Sequence, residues 1–141
     1  MATRSESGGV DINAAFFSFT ADLKLYFLSN PASAHCRNLT HVDQMAVTVF
    51  DTRQEWGKPH AGLQLYGTAG LTPPDEAEQA RASYATRFTS YFDWVLRAGE
   101  ASEATTGFPA LHFYRFLPAR IKVLDEQDFG DDVCIMTEIG R

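Results

Sequence analysis

Three side chains that can hold an anion fall within five residues: Ser33, His35 and Arg37. They follow the strand-like run Leu25-Tyr26-Phe27-Leu28-Ser29 and the breaker Asn30-Pro31, so a strand ends, the backbone turns and a short helix over 34–41 begins with Ser33 as its cap. Such a turn offers free amide hydrogens and the positive end of a helix dipole. A hydroxyl, an imidazole and a guanidinium would add to it, and arginine suits two-pronged phosphate contact. An ordinary capped helix with one surface arginine accounts for the same residues. Gln64 is a second candidate, an amide in an apolar strand flanked by Gly62 and Gly67, able to bond a polar ligand edge. A solvent-facing position on a half-exposed strand explains it equally well. The histidines His35, His41, His60 and His112 lack the i, i+4 spacing that sets two imidazoles on one helix face, so no metal site is expected. Phosphate-loop, dinucleotide, zinc-protease and serine-hydrolase motifs are absent.

The elements that must position these groups read as mostly strand. Residues 1–9 are polar and are expected to form a flexible lead-in. Residues 14–19 and 23–29 are two apolar runs around Thr20-Ala21-Asp22, the pattern of an antiparallel hairpin. A third strand follows over 45–50. In a fourth, Leu63, Leu65, Ala69 and Leu71 alternate with Gln64, Tyr66 and Thr68, while Gly67 and Gly70 signal a bulge or a close backbone approach. Thr72 as N-cap and Pro73 as first helical residue open the longest helix, whose stripe runs Ala77, Ala80, Tyr84, Phe88, Tyr91, Phe92 and Val95 and stops at Gly99. A flexible stretch over 100–107 leads to a long strand, 111–116 and 121–124, kinked at Pro118. Clustered strands with short connections argue for a mainly β (α+β) fold with an antiparallel sheet or small barrel, and against a doubly wound one.

The chain of 141 residues, 45% apolar and 21% charged, is one domain of ordinary size. Its net charge of −6 comes from the stretch after Val123, which carries six acids and no lysine or arginine before Arg141. The rest is balanced, so no basic stripe exists to displace counterions, and nucleic acid is not an expected partner. Apolar runs are too short to span a bilayer, no secretory signal is visible, and Cys36 and Cys134 read as free thiols, so a cytoplasmic protein is expected. Trp56, Trp94 and the eleven phenylalanines suit a core, a dimer interface or a cleft for a planar ligand.

The order of these segments resembles the pyridoxamine 5′-phosphate oxidase-like, FMN-binding split β-barrel family, in a poorly characterised branch. The resemblance runs through Leu25 to Leu28, Ser33 to Leu39 and Met45 to Val49. It continues in Gly62 to Ala69, Tyr84 to Phe88 and Pro118 to Gly130, covering about residues 14–130. It implies an antiparallel six-stranded split β-barrel with flanking helices over 10–130, followed by an acidic tail at 131–141. It also implies a homodimer holding FMN in clefts at the subunit interface and acting on a small-molecule substrate as a flavin-dependent oxidoreductase. By position, the backbone of Phe27, Leu28 and Ser29 would lie along the isoalloxazine edge. Ser33, His35 and Arg37 would bind the phosphate, and Gln64 would reach the ribityl chain or ring. The family pattern carries lysine where His35 stands, and a histidine of ordinary pKa is mostly uncharged at neutral pH. No catalytic acid or base is identified. The alternatives are a barrel that binds haem, flavin or another planar ligand without catalysis, and a structural dimer without cofactor.

Overall fold

The computed structural model of the chain describes residues 1–91, 93 and 111–140. The sequence expectations for Phe92, Trp94, Val95, Gly99 and the stretch 100–107 lie outside these residues. Strands β1 (Ala2–Arg4), β2 (Val10–Ile12), β3 (Phe17–Phe19) and β4 (Leu25–Ser29) precede helix α1 (Ala34–Leu39). Then come β5 (Gln44–Phe50), β6 (Ala61–Leu71), a 3-10 turn (Pro74–Glu76) and helix α2 (Ala77–Arg87). The last elements are β7 (His112–Asp125), helix α3 (Glu126–Phe129) and β8 (Cys134–Glu138). All pairings are antiparallel, in the order β2-β1-β5-β6-β7-β4-β3, with β8 also on β7. This is the antiparallel split-barrel architecture the sequence implies. It is an open sheet, and the short terminal strands bring it to eight.

One expectation is corrected at the N-terminus. The lead-in is not loose: β1 pairs with both β2 and β5, and Thr3 is buried. Asn38 of α1, itself buried, donates to Thr3 Oγ1 (3.1 Å) and to Asp11 Oδ2 (2.7 Å), so one side-chain amide ties both terminal strands to the helix. The acidic tail likewise folds back. Its residues Cys134–Glu138 pair with Leu124–Arg120 of β7, and the strand is exposed along its whole length, with the Glu138 carboxylate in water.

The centre of the sheet rests on β6 and β7. Tyr66 opposes Arg120 but Gly67 opposes Pro118, so Ala119 is an extra residue on β7. One extra residue reverses which side chains face inward. Tyr114, Phe116 and Pro118 are buried before it, and Ile121 after it. On β6, which carries no insertion, Leu65 and Ala69 point into the core as the alternation predicts, whereas Leu71 is exposed. Proline has no amide to contribute to a ladder, which is why the bulge falls there. The core gathers Leu25, Phe27, Cys36, Leu39, Met45, Leu65, Ala69, Tyr114, Phe116 and Ile121.

The long helix departs from its predicted start. Thr72 does not cap it: its amide still bonds Phe113 O (2.9 Å), and its buried hydroxyl has no partner among the described residues. Pro73 and the 3-10 turn carry the chain into α2 instead. The helix lays Ala80, Tyr84 and Ala85 against the sheet. Trp56, expected in a core or interface, is fully exposed in this chain.

Candidate functional site

The end of β4 is where the sheet leaves a strand edge uncovered. β7 accompanies β4 over its whole length, from Leu25–Phe116 to Ser29–His112, but β3 covers only Leu25–Phe27. Leu28 and Ser29 therefore have no strand neighbour on the β3 side. The chain runs past instead as the non-strand segment 13–16, and a cavity of about 840 Å³ opens between them. That volume is within the range of small-molecule and cofactor sites, about 300–1,000 Å³.

One wall of the cavity is polar. Ser29 Oγ lies 2.7 Å from His35 Nε2, and Ser33 Oγ lies 3.2 Å from the same nitrogen. The breaker Asn30-Pro31 turns the chain so that the first turn of α1 folds back over the strand end. Ser33 occupies the N-cap position, yet its hydroxyl makes no capping bond because it faces His35. Burial holds the imidazole below the usual histidine range, the Met1 ammonium adds to this, and Asp11 opposes it in part. His35 is therefore neutral near pH 7. Asn13 completes this wall, with a buried Oδ1 that accepts no hydrogen bond among the described residues.

The opposite wall is aromatic. Phe16 meets Phe88 edge-on at 5.7 Å between ring centres, and Tyr84 lies 4.6 Å from Phe88 and 5.2 Å from Tyr91. Burial raises the pKa of both tyrosines, so their phenols stay protonated. A slot with carbon faces on one side and neutral hydrogen-bonding groups on the other accepts a flat conjugated molecule with polar edges.

The residues singled out in the sequence divide into three groups. Leu28, Ser29 and His35 line the cavity, and Ser33 is joined to them through His35. Phe27 is core: it is 2% exposed, stacks on Tyr114 at 5.5 Å, and has β3 on one flank and β7 on the other. Its backbone is thus covered, unlike that of the next two residues. Arg37 is exposed, and its guanidinium donates to the Ala32 carbonyl. The amides of Ala32 and Ser33 are also engaged, by Asn30 Oδ1 and Asn30 O.

Gln64 is not brought to this corner. It opposes Lys122, ten residues along β7 from His112, the partner of Ser29. That is about 30 Å of strand. Its Oε1 accepts from the Tyr66 hydroxyl (3.0 Å), and it lines a separate pocket of about 250 Å³ with His60 and Lys122. The aromatic wall was missed in the sequence, where Tyr84, Phe88 and Tyr91 read as a core stripe. Two phenols in that stripe were the available signal, since a tyrosine usually keeps its hydroxyl near a polar boundary. A further cavity of about 560 Å³ inside the sheet is bounded mainly by aliphatic and phenylalanine side chains, with few groups to orient a ligand.

An open antiparallel split barrel with a cavity at the end of β4 defines the class of protein. The sequence profile of the pyridoxamine 5′-phosphate oxidase family matches residues 1–125, and the chain belongs to that family. No curated protein matches it. Among solved structures, a haem-binding protein from Mycobacterium smegmatis superposes with a TM-score of 0.73 at 14% identity over 97% of this chain. The chain spans 50% of that protein's length. The haem storage protein HutZ of Vibrio cholerae gives 0.62 at 18% identity, over 83% of this chain and 78% of its own. A pyridoxamine 5′-phosphate oxidase-related, FMN-binding protein from Nostoc punctiforme gives 0.58 at 13% identity, over 99% and 85%. At these identities the likeness speaks for the fold alone. Among the described residues, no helix is long and apolar enough to cross a membrane.

Proposed function

We propose that this chain binds a flavin in the cavity at the end of β4 and serves as a flavin-dependent oxidoreductase for a small-molecule substrate. The reading is carried by one observation: the Ser29–His35–Ser33 hydrogen-bonded set faces the aromatic wall of Phe16, Tyr84 and Phe88 across a slot of cofactor size. FMN, the family's flavin, would supply hydride transfer when bound. Leu28 and the aromatic side chains would hold its ring, and Ser29, His35 and Asn13 would meet its polar edges. The ring half of FMN fits these residues. The phosphate half does not, because no lysine or arginine is among the described residues lining the cavity. In a homodimer a second copy would cover exposed apolar groups such as Phe16 (77%) and Phe50 (60%), and only from that copy could Gln64 reach the slot. A cytoplasmic setting belongs to this reading, with Cys36 and Cys134 as free thiols.

Ala15→Trp tests the location. Ala15 is exposed at the cavity rim, so an indole there fills the slot without disturbing the core. Titration followed by flavin fluorescence should show quenching with the parent protein and an affinity at least about tenfold weaker with the variant, a loss of about 1.4 kcal/mol. Equal affinity in both would remove the cavity from the account. One observation favours a second reading, binding of haem: a half-buried, neutral imidazole at a cavity wall is the form that ligates iron. A Soret shift on haem titration, with no flavin quenching, would select it.

A further inference from the structure

We infer that the cavity recognises the isoalloxazine ring and makes no use of the phosphate, so that riboflavin and FMN bind it alike. The inference rests on the flavin reading above and concerns which part of the molecule is held. Arg37 is the cation that its place in the sequence offers for a phosphate. Its guanidinium donates to the Ala32 carbonyl, and the residue is not part of the cavity wall. The turn before α1 has no spare amide at Ala32 or Ser33, since both donate to Asn30. His35 Nε2 already lies within hydrogen-bond distance of two hydroxyls, and the ring is half-buried. The polar groups that remain among the described lining residues are neutral donors and acceptors, the kind that match ring carbonyls and an imide.

Energetics point the same way. Bringing a dianionic ester against a neutral wall strips its water without returning a charge, which disfavours contact. The open side of the cavity lets the ester remain hydrated instead. The aromatic wall rewards only the ring, through area and stacking that both flavins share.

The probes are riboflavin and FMN, each titrated at pH 8 by fluorescence quenching into the parent protein and into Arg37→Ala. Arg37 is exposed, so the variant keeps the core intact. The dissociation constants of the two flavins should agree within about threefold, and Arg37→Ala should move neither. A charge-assisted phosphate contact would instead favour FMN by about tenfold or more. That preference in the parent, or a loss confined to FMN in the variant, overturns the inference and leaves the flavin reading standing. Quenching of neither flavin removes the reading itself, and the inference with it.

Discussion

Replacing Gly67 with alanine is expected to cost about 3 kcal/mol and to lower the melting temperature by about 10 °C. A Cβ built at this position would stand 2.0 Å from the Leu117 carbonyl oxygen and 2.8 Å from Pro118 Cα. These are backbone atoms of the neighbouring strand, so no side-chain rotation relieves the contact. Gly67 is also where the β6–β7 register shifts by one residue, and that shift sets which side chains of β7 reach the core. Two rearrangements are open to the variant. The strands separate locally, exposing Leu65 and Phe116, or the bulge moves and turns the inward set outward. Either loses buried apolar area at about 25 cal/mol per Å². Thermal unfolding followed by circular dichroism checks this. Gly70→Ala is the matched control, because a Cβ there meets nothing within 4 Å. Equal melting temperatures for the two variants would show that the bulge is not what sets the register.

Glu76→Ala is expected to cost about 2–3 kcal/mol through a different mechanism. Glu76 Oε1 accepts from Arg115 (2.8 Å) and Lys24 (3.2 Å), and Oε2 accepts from the Tyr26 hydroxyl (2.9 Å). All three charged side chains are at least three-quarters buried. Tyr26 is fully buried, and its hydroxyl also lies 3.0 Å from Gln79 Oε1. This cluster pins the start of α2 to β4 and β7, and so holds the aromatic wall of the cavity in place. Removing the carboxylate takes the Glu76 anion from a largely buried Arg115 guanidinium and leaves Lys24 with Asp22 (3.4 Å) alone.

The pH dependence follows from the same contacts. Burial alone would raise the Glu76 pKa. Hydrogen bonds from Tyr26 and Lys24 and the charge of Arg115 outweigh it, so the carboxyl titrates below its ordinary value of 4.5. A depressed carboxyl pKa gives stability that is complete above the unfolded value and is lost as pH falls through the folded one. Urea unfolding at pH 7 and at successive steps below pH 4.5 should therefore show the parent converging on Glu76→Gln. A constant gap between them down to the acid limit would mean the carboxylate contributes nothing through its charge.

What the sequence made legible follows the range of the interactions involved. The β3–β4 hairpin, the strand–turn–helix around Asn30-Pro31 and the kink at Pro118 are local, and each is written in a few adjacent residues. Gly67 was readable as a close approach because a glycine on the inward face of a strand has few other uses. The terminal strands were not, since β1 and β2 are only three residues each, too short to show an alternation. They are held by Asn38, whose partners Thr3 and Asp11 are 35 and 27 residues away. Thr72 carried a proper capping sequence, but pairing of its amide with Phe113 prolonged the sheet by one residue and displaced the cap.

The candidate site divides along the same line. Ser29, Ser33 and His35 sit within one turn and could be found together. Arg37 shares their turn but faces away, a matter of one bond to a carbonyl that spacing does not reveal. Gln64 was attractive as a lone amide among apolar residues, yet β7 separates it from the corner by most of its own length. The opposing wall comes from Phe16 and from side chains on and just after α2, which meet only once the sheet has formed.

A crystal structure of the chain grown with riboflavin puts the account to its most direct trial. The ring should lie in the slot between Leu28–Ser29 and the Phe16, Tyr84 and Phe88 side chains, with Ser29 or His35 bonded to its polar edge. Flavin density at another surface, with the Ser29–His35–Ser33 contacts unchanged and the slot closed by the protein's own side chains, would contradict it.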